Sequence, residues 1–158
     1  DEFLSEEEKA DLNRANKERQ KNNKKAYEEL KKYGLEISHD NMEKYKLCES
    51  QKWTDIYNVF DDKKKISPED LPNYDIDHIV PVSSGGADSL ANKVVTARHL
   101  NQSQKSNKTP YQWLFEDKIK WADFLENIKN AGIDKNSKKY LFLTAKDAVS
   151  QAKSLNDL

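Results

Sequence analysis

Two short segments with the composition of β-strands lie close together in this chain, whose other segments have helical patterns. Residues 74–80 alternate largely between polar and apolar side chains and stop at Pro81, as is typical of a strand. Residues 92–96 form the second segment, after a loop that contains two adjacent glycines. The pair predicts a two-stranded hairpin, which is marginally stable alone and needs other elements packed on it.

Helical patterns flank the hairpin on both sides and must supply most of its core. Ser5 and Glu8 form a capping box that begins a long helix over residues 5–33, and Gly34 is placed to end it. Three further helices are predicted, over residues 40–50, 110–130 and 137–153. The fold class is therefore α+β, with a small hairpin-based centre embedded in a mostly helical domain.

The long first helix differs in composition from the rest of the chain. Between Asn13 and Lys25 its only apolar residue is Ala15, so this stretch cannot bury a face. We therefore interpret residues 1–36 as a helical linker or arm and residues 37–158 as the main domain. Within the main domain we place the central core at about residues 74–108 and the C-terminal helices over residues 109–158.

Charge and composition exclude some classes of protein. The 158 residues contain 27 Lys and Arg and 28 Asp and Glu, a balance that argues against a strongly basic, autonomous nucleic-acid-binding module. The charges are unevenly distributed along the chain, because residues 89–115 contain four Lys and Arg residues and no acidic residue. No apolar run reaches the length of a bilayer, and the lone Cys48 fits a reducing compartment. We expect a cytoplasmic location and no association with membranes.

The residues whose side chains could bind a metal ion or take part in catalysis lie in the window 74–111. Adjacent strand residues point to opposite faces, so Asp77 and His78 cannot both reach one ion unless the strand bends. In one natural arrangement Asp77 binds a metal ion and His78 faces a phosphate group, while a helix brings in Asn101 from the other side. That order of elements is typical of a ββα-metal site.

These residues carry a resemblance to a known family. The run Asp77-His78-Ile79-Val80-Pro81, the pair Gly85-Gly86, Asn92 and Asn101 resemble the HNH endonuclease family. The stretches NKVVTARHLNQ and NKTPYQW resemble more closely the HNH domain of CRISPR type II RNA-guided effector nucleases. This stronger match covers roughly residues 74–140, and residues 5–33 resemble the linker to an RNase-H-like nuclease domain in those proteins.

The resemblance implies roles for individual residues. Asp77 and Asn101 would be ligands of one Mg²⁺ ion, for which Mn²⁺ could substitute. His78 would be the general base that takes a proton from the attacking water in phosphodiester hydrolysis. Asn92 would hold the loop of residues 82–91 to the strand, and the phosphate-contacting cations would be Lys93, Arg98 and Lys105, with Lys108 as a further candidate. His99 stays open as an alternative metal ligand, and Asn107 as a competitor of Asn101.

The resemblance also implies partners. The substrate would be the DNA strand paired to a guide RNA, and the partner would be the rest of a larger prokaryotic effector used in antiviral defence. The missing initiator Met would fit an excised piece of such a chain. Three other interpretations remain: a free-standing HNH endonuclease that cuts duplex DNA, a non-catalytic nucleic-acid-binding module, and a helical interaction protein.

Overall fold

Six α-helices and one two-stranded antiparallel sheet make up most of residues 4–156, the part of the chain described by the computed structural model. The strands are β1 (Tyr74–His78) and β2 (Lys93–Ala97). The helices are α1 (Glu6–Lys32), α2 (His39–Ser50), α3 (Pro110–Leu114), α4 (Lys118–Asn130), α5 (Lys138–Thr144) and α6 (Ala148–Asn156). A short π-helix (Leu100–Lys105) follows β2, and 3₁₀ turns span Pro68–Asn73, Val82–Ser84 and Leu90–Asn92. The predicted α+β fold is confirmed.

The hairpin forms where the sequence predicts it, with shifted ends. Tyr74 pairs with Ala97, and His78 pairs with Lys93. β1 stops at His78, and the next two amides both bond to Asn92, the residue before β2. Ile79 N donates to the carbonyl of Asn92 at 2.8 Å, and Val80 N donates to its side chain at 2.9 Å. Asn92 ends a 3₁₀ turn and precedes the second strand, so that strand begins one residue later than predicted.

The sheet lies between two apolar clusters. Consecutive residues of β2 point to opposite faces, so Val94 packs into one cluster and Val95 into the other. The larger cluster collects side chains from α3 to α6 and from the turn after α2, including Tyr57 and Phe124. The smaller cluster joins the end of α1 to α2 and includes Leu30. The helices on both faces thus cover a hairpin that could not stand alone.

Helix α1 begins and ends close to the predicted positions. Oγ of Ser5 accepts a hydrogen bond from the amide of Glu8 at 3.0 Å, which is the serine half of the predicted capping box. In the described part of the helix only Ala26 and Leu30 are buried, near the end that packs on α2. A helix with so little buried surface takes its support from that one end, and its role as a linker stays a prediction.

Two predicted helices are each broken in two. The break between α3 and α4 falls before Asp117, whose carboxylate accepts hydrogen bonds from the amides of Ile119 and Lys120, both at 3.1 Å, and so begins a new helix. The break between α5 and α6 follows Thr144, because Ala145 has an extended backbone. Across residues 4–156, no helix is both long enough and apolar enough to span a bilayer.

Candidate active site

The three residues predicted to perform the chemistry lie together. Asp77 and His78, at the end of β1, and Asn101, in the π-helix, line one open cleft of about 400 Å³. The cleft is completed by loop and π-helix residues: Ile76, Pro81, Val82, Ser83, Gln102, Ser106 and Asn107. Asn107 is therefore a neighbour of the site, whereas the exposed His99 is not among the residues that line it.

Asp77 is a buried carboxylate held by two donors. Its side chain accepts a hydrogen bond from the hydroxyl of Tyr57 at 2.7 Å, and Nζ of Lys105 lies 3.0 Å away. Both contacts are to Oδ2, and Oδ1 accepts no hydrogen bond from residues 4–156. Burial raises the pKa of Asp77, and the attraction of Lys105 opposes this shift. A cation placed at the cleft would favour the ionised carboxylate in the same way as Lys105 does.

Lys105 is fully buried inside the site. The π-helix carries it under β1, where its Nζ also donates a hydrogen bond to the carbonyl of His78 at 3.1 Å. Burial lowers the pKa of this lysine, and the contact with Asp77 opposes that change. In this conformation Lys105 contacts Asp77 and does not reach the surface, so the predicted phosphate contact is not available to it.

His78 is the last residue of β1 and remains one-third exposed at its side chain. Its Nε2 lies 2.9 Å from Oδ1 of Asp88, in the loop between the strands. The same carboxylate oxygen lies 2.8 Å from Nζ of Lys93, which also contacts Glu43 at 3.2 Å. Hydrogen bonds from Lys93 and His78 lower the pKa of Asp88 to about 2. Lys93, which is predicted to contact phosphate, thus already contacts two carboxylates, those of Asp88 and Glu43.

Asn92 clamps the loop to the first strand. Its Oδ1 accepts a hydrogen bond from Val80 N, while its Nδ2 donates to the carbonyls of Val80 and Ala87, all at 2.9 Å. Gly86 allows this close approach, since a Cβ there would lie 1.9 Å from the carbonyl oxygen of Val80. The predicted holding contact is present in this geometry, and its importance for catalysis stays a prediction.

A second carboxylate orients the side chain of Asn101. Oδ2 of Asp75 accepts a hydrogen bond from Nδ2 of Asn101 at 3.3 Å and from Gln102 at 3.2 Å. Its Oδ1 accepts from Nε of Arg98 at 3.1 Å, and Arg98 also donates to the carbonyl of Pro72 at 2.7 Å. The amide nitrogen of Asn101 is therefore engaged by protein, which leaves its oxygen for a ligand. Arg98, like Lys93 and Lys105, has an intramolecular partner.

Three residues of the site were not predicted from the sequence: Tyr57, Asp75 and Asp88. The place of Asp75 could have been predicted, because it lies two residues before Asp77 and therefore on the same face of β1. Tyr57 reaches the site through the packing of the larger apolar cluster, and Asp88 reaches it through the path of the loop between the strands. Local sequence patterns show neither placement.

The donor atoms fit a hydrated magnesium ion better than a metal held wholly by protein. Within the described residues, no group of three or more His, Cys, Asp or Glu side chains is arranged to hold a metal ion. Asp77 and Asn101 offer a carboxylate and an amide oxygen, the hard ligands that Mg²⁺ accepts while it keeps several waters. Cys48 is buried in the smaller apolar cluster, so the described residues do not provide a thiolate zinc site here.

Comparisons with known proteins agree with the predicted resemblance. A family model described as HNH endonuclease matches residues 62–111, which include both strands and the π-helix. The chain is 36% identical to the CRISPR-associated endonuclease Cas9 of Staphylococcus aureus, over 63% of this chain and 10% of that protein. It is 37% identical to the Cas9 of Campylobacter jejuni, over 65% of this chain and 10% of that protein. The chain thus spans about a tenth of the length of these relatives.

Solved structures show the same fold. The crystal structure of Streptococcus thermophilus Cas9 in complex with an AGGA PAM superposes with a TM-score of 0.65 at 21% identity, over 97% of this chain and 17% of that one. The complex of the same protein with the AGAA PAM gives a TM-score of 0.66 at 22% identity, over 98% of this chain and 18% of that one. The family model and the two Cas9 relatives confirm the predicted resemblance to the HNH domain of type II CRISPR nucleases, and the solved structures show that the fold is shared.

Proposed function

Since this chain carries an HNH domain of the kind found in type II CRISPR Cas9-like nucleases, we propose that it hydrolyses phosphodiester bonds of DNA with one divalent metal ion. The observation that supports this best is the position of Asp77, His78 and Asn101, which line a single cleft. They come from two separate elements and combine oxygen ligands with an imidazole. Oxygen ligands beside a potential proton acceptor suit metal-assisted hydrolysis.

His78 is the proposed general base. Its side chain lines the cleft, and a neutral imidazole can accept a proton from water near neutral pH. The main chain of His78 is fixed by the hydrogen bond that its carbonyl accepts from Lys105. The backbone of the base is therefore anchored to the π-helix, on which Asn101 lies.

Asp77 and Asn101 would hold Mg²⁺, with Mn²⁺ as a substitute. When bound, the ion would polarise the phosphate and stabilise the leaving 3′ oxygen. The chain contributes a carboxylate fixed by Tyr57 and an amide whose nitrogen is engaged by Asp75. Both side chains are thus held in place before any ligand arrives, which reduces the reorganisation needed on binding.

The substrate we propose is the DNA strand paired to a guide RNA within a larger effector. The similarity to Cas9 proteins supports this, together with the small share of their length that the chain spans. The charge pattern agrees, because the net charge is −1 and Lys93, Arg98 and Lys105 are engaged by carboxylates. A domain with so few free cations near its cleft suits DNA that is held by the rest of a protein.

Cleavage assays on the purified chain test this proposal. We expect Mg²⁺-dependent cutting of the DNA strand of an RNA–DNA hybrid, and we expect His78→Ala to lose this activity. The control is His39→Ala, which should retain the activity because His39 is exposed and is not among the residues that line the cleft. Chelation of the metal should stop the reaction. Full activity of His78→Ala would remove it as the base. Efficient, site-specific cutting of duplex DNA by this chain alone would instead favour a free-standing endonuclease.

A further inference from the structure

We propose that Asp88 is a positioning residue for His78: its carboxylate holds the Nε2–H of the imidazole, so that Nδ1 is the nitrogen that accepts the proton of water. This inference rests on the proposed role of His78 as general base and names the groups that prepare it. Asp88 acts through His78 and is not itself assigned a contact with the substrate.

The first argument is the chemistry of the contact. Oδ1 of Asp88 lies 2.9 Å from Nε2 of His78, a normal hydrogen-bond distance. An ionised carboxylate can only accept hydrogen bonds, so the ring nitrogen that faces it must carry the proton. In the neutral imidazole the other nitrogen, Nδ1, is then unprotonated and able to accept one. The contact thus selects one tautomer and one orientation of the ring.

The second argument is that Asp88 is fixed although it is exposed. Its side chain is 73% exposed, and a free aspartate in a loop would be a poor anchor. Oδ1 is also 2.8 Å from Nζ of Lys93, the residue that pairs with His78 across the hairpin. Lys93 is itself held by Glu43 of α2. Two donors from opposite strands therefore converge on one carboxylate oxygen.

The third argument is the anchorage of the loop. The carbonyl of Ala87, the residue before Asp88, accepts the hydrogen bond from Nδ2 of Asn92. Gly86, one residue earlier, donates its amide hydrogen to the carbonyl of Pro81 at 3.0 Å. These bonds fix the backbone next to Asp88 relative to the end of β1. The contribution of Asn92 to the site then includes the placement of Asp88 beside the base.

The experiment compares ring ¹⁵N chemical shifts of His78 in the metal-free chain at alkaline pH, the range in which an imidazole is ordinarily neutral. In the wild-type chain we expect Nε2 to show the shift of a protonated nitrogen and Nδ1 that of an unprotonated one. In Asp88→Ala the ring should mix its two tautomers, so that the two shifts move towards each other. Asp88→Asn keeps an acceptor oxygen and should largely preserve the wild-type pattern. Identical shifts in wild type and Asp88→Ala would overturn the proposal.

Cleavage at saturating Mg²⁺ and substrate gives the second readout. Asp88→Ala should lower the rate constant about tenfold to a hundredfold, the usual effect of losing a partner that orients a histidine, and leave the half-saturating DNA concentration unchanged. Asp62→Asn, which removes an exposed loop carboxylate, is the control. An equal or higher rate for Asp88→Ala would mean that the contact restrains the base, which contradicts the proposal. A wild-type chain that does not cleave would count against the proposed function alone, because the NMR comparison needs no activity.

Discussion

Nζ of Lys105 lies 3.0 Å from Oδ2 of Asp77, in a place where the lysine is fully buried and the aspartate is 6% exposed. Burial disfavours the charged form of each group, and their mutual attraction opposes this effect. The attraction of Lys105 therefore favours the ionised form of Asp77, a residue that lines the cleft, and acts against the effect of burial. The proposed metal ligand and the fold depend on the same contact.

Lys105→Met should destabilise the protein by about 3 to 5 kcal/mol, because it leaves the charge of Asp77 buried without its partner. Urea unfolding of the metal-free chain measures the change. The control is Lys108→Met, three residues later and exposed, which should change the unfolding free energy by less than about 0.5 kcal/mol.

The double variant Asp77→Asn with Lys105→Met separates the pair from simple packing. Removing both charges avoids the uncompensated carboxylate, so its cost should be smaller than the sum of the two single costs by about 1 kcal/mol or more. Additive costs would show that the two groups do not interact in the folded protein.

Tyr57→Phe should destabilise the chain by about 1.5 to 3 kcal/mol, the usual range for a hydrogen bond to a charged group. The hydroxyl donates to Oδ2 of Asp77 at 2.7 Å, and the variant leaves the edge-to-face packing of the ring on Trp113 in place. It should also raise the pKa of Asp77, since a donor to the ionised form is lost. Tyr27→Phe on α1, where the side chain is 46% exposed, is the control for removal of a hydroxyl. Equal stability of the Tyr57 and Tyr27 variants would contradict the contact.

The local patterns of the sequence are sufficient to predict the hairpin, and the resemblance to HNH endonucleases adds Asp77, His78 and Asn101, which line one cleft in the structure. The roles of these three residues stay predictions. Alternation in residues 74–80 is a property of neighbouring residues, and the spacing from His78 to Asn101 is that of a single hairpin and its following helix. Both are fixed over short distances along the chain, so no knowledge of packing is needed to read them.

The partners of the charged residues could not be predicted in the same way. The sequence predicts Lys93 and Lys105 as cations that contact phosphate. In the structure each lysine is held by a carboxylate from another part of the chain. Tyr57 reaches Asp77 across 20 residues through the larger apolar cluster. Such contacts depend on tertiary packing, which a pattern of residue types does not contain.

Gly86→Ala should cost about 3 kcal/mol or more in unfolding free energy, because its Cβ would lie 1.9 Å from the carbonyl oxygen of Val80 and 2.8 Å from Nδ2 of Asn92. The backbone of the loop would have to move, and this would loosen the clamp formed by Asn92. Gly34→Ala is the matched control: that glycine has a φ of +70° and no atom within 4 Å of a Cβ, so only the left-handed backbone contributes, at about 1 to 2 kcal/mol. Hydrogen exchange in the loop should rise only in the Gly86 variant. A similar effect of the two substitutions would show that the close approach is absent.

The contact of Asp88 with His78 and Lys93 predicts a dependence of stability on acid pH. The pKa of Asp88 in the folded chain is about 2, below its ordinary value of about 3.9. A carboxylate with a lowered pKa contributes stability that is fully present above the ordinary value and is lost as the pH falls towards about 2. Burial raises the pKa of Asp55 and of Asp77, and these groups act in the opposite direction, so the comparison must be between variants.

Asp88→Asn lacks this contribution at every pH. The difference in unfolding free energy between the wild type and Asp88→Asn should therefore be fully developed at about pH 5 and should shrink as the pH falls towards about 2. Urea unfolding at a series of pH values measures it, with Asp62→Asn as the variant whose difference from the wild type should not change in this way. A difference for Asp88→Asn that stays constant down to about pH 2 would show that the carboxylate makes no favourable contact in the folded chain.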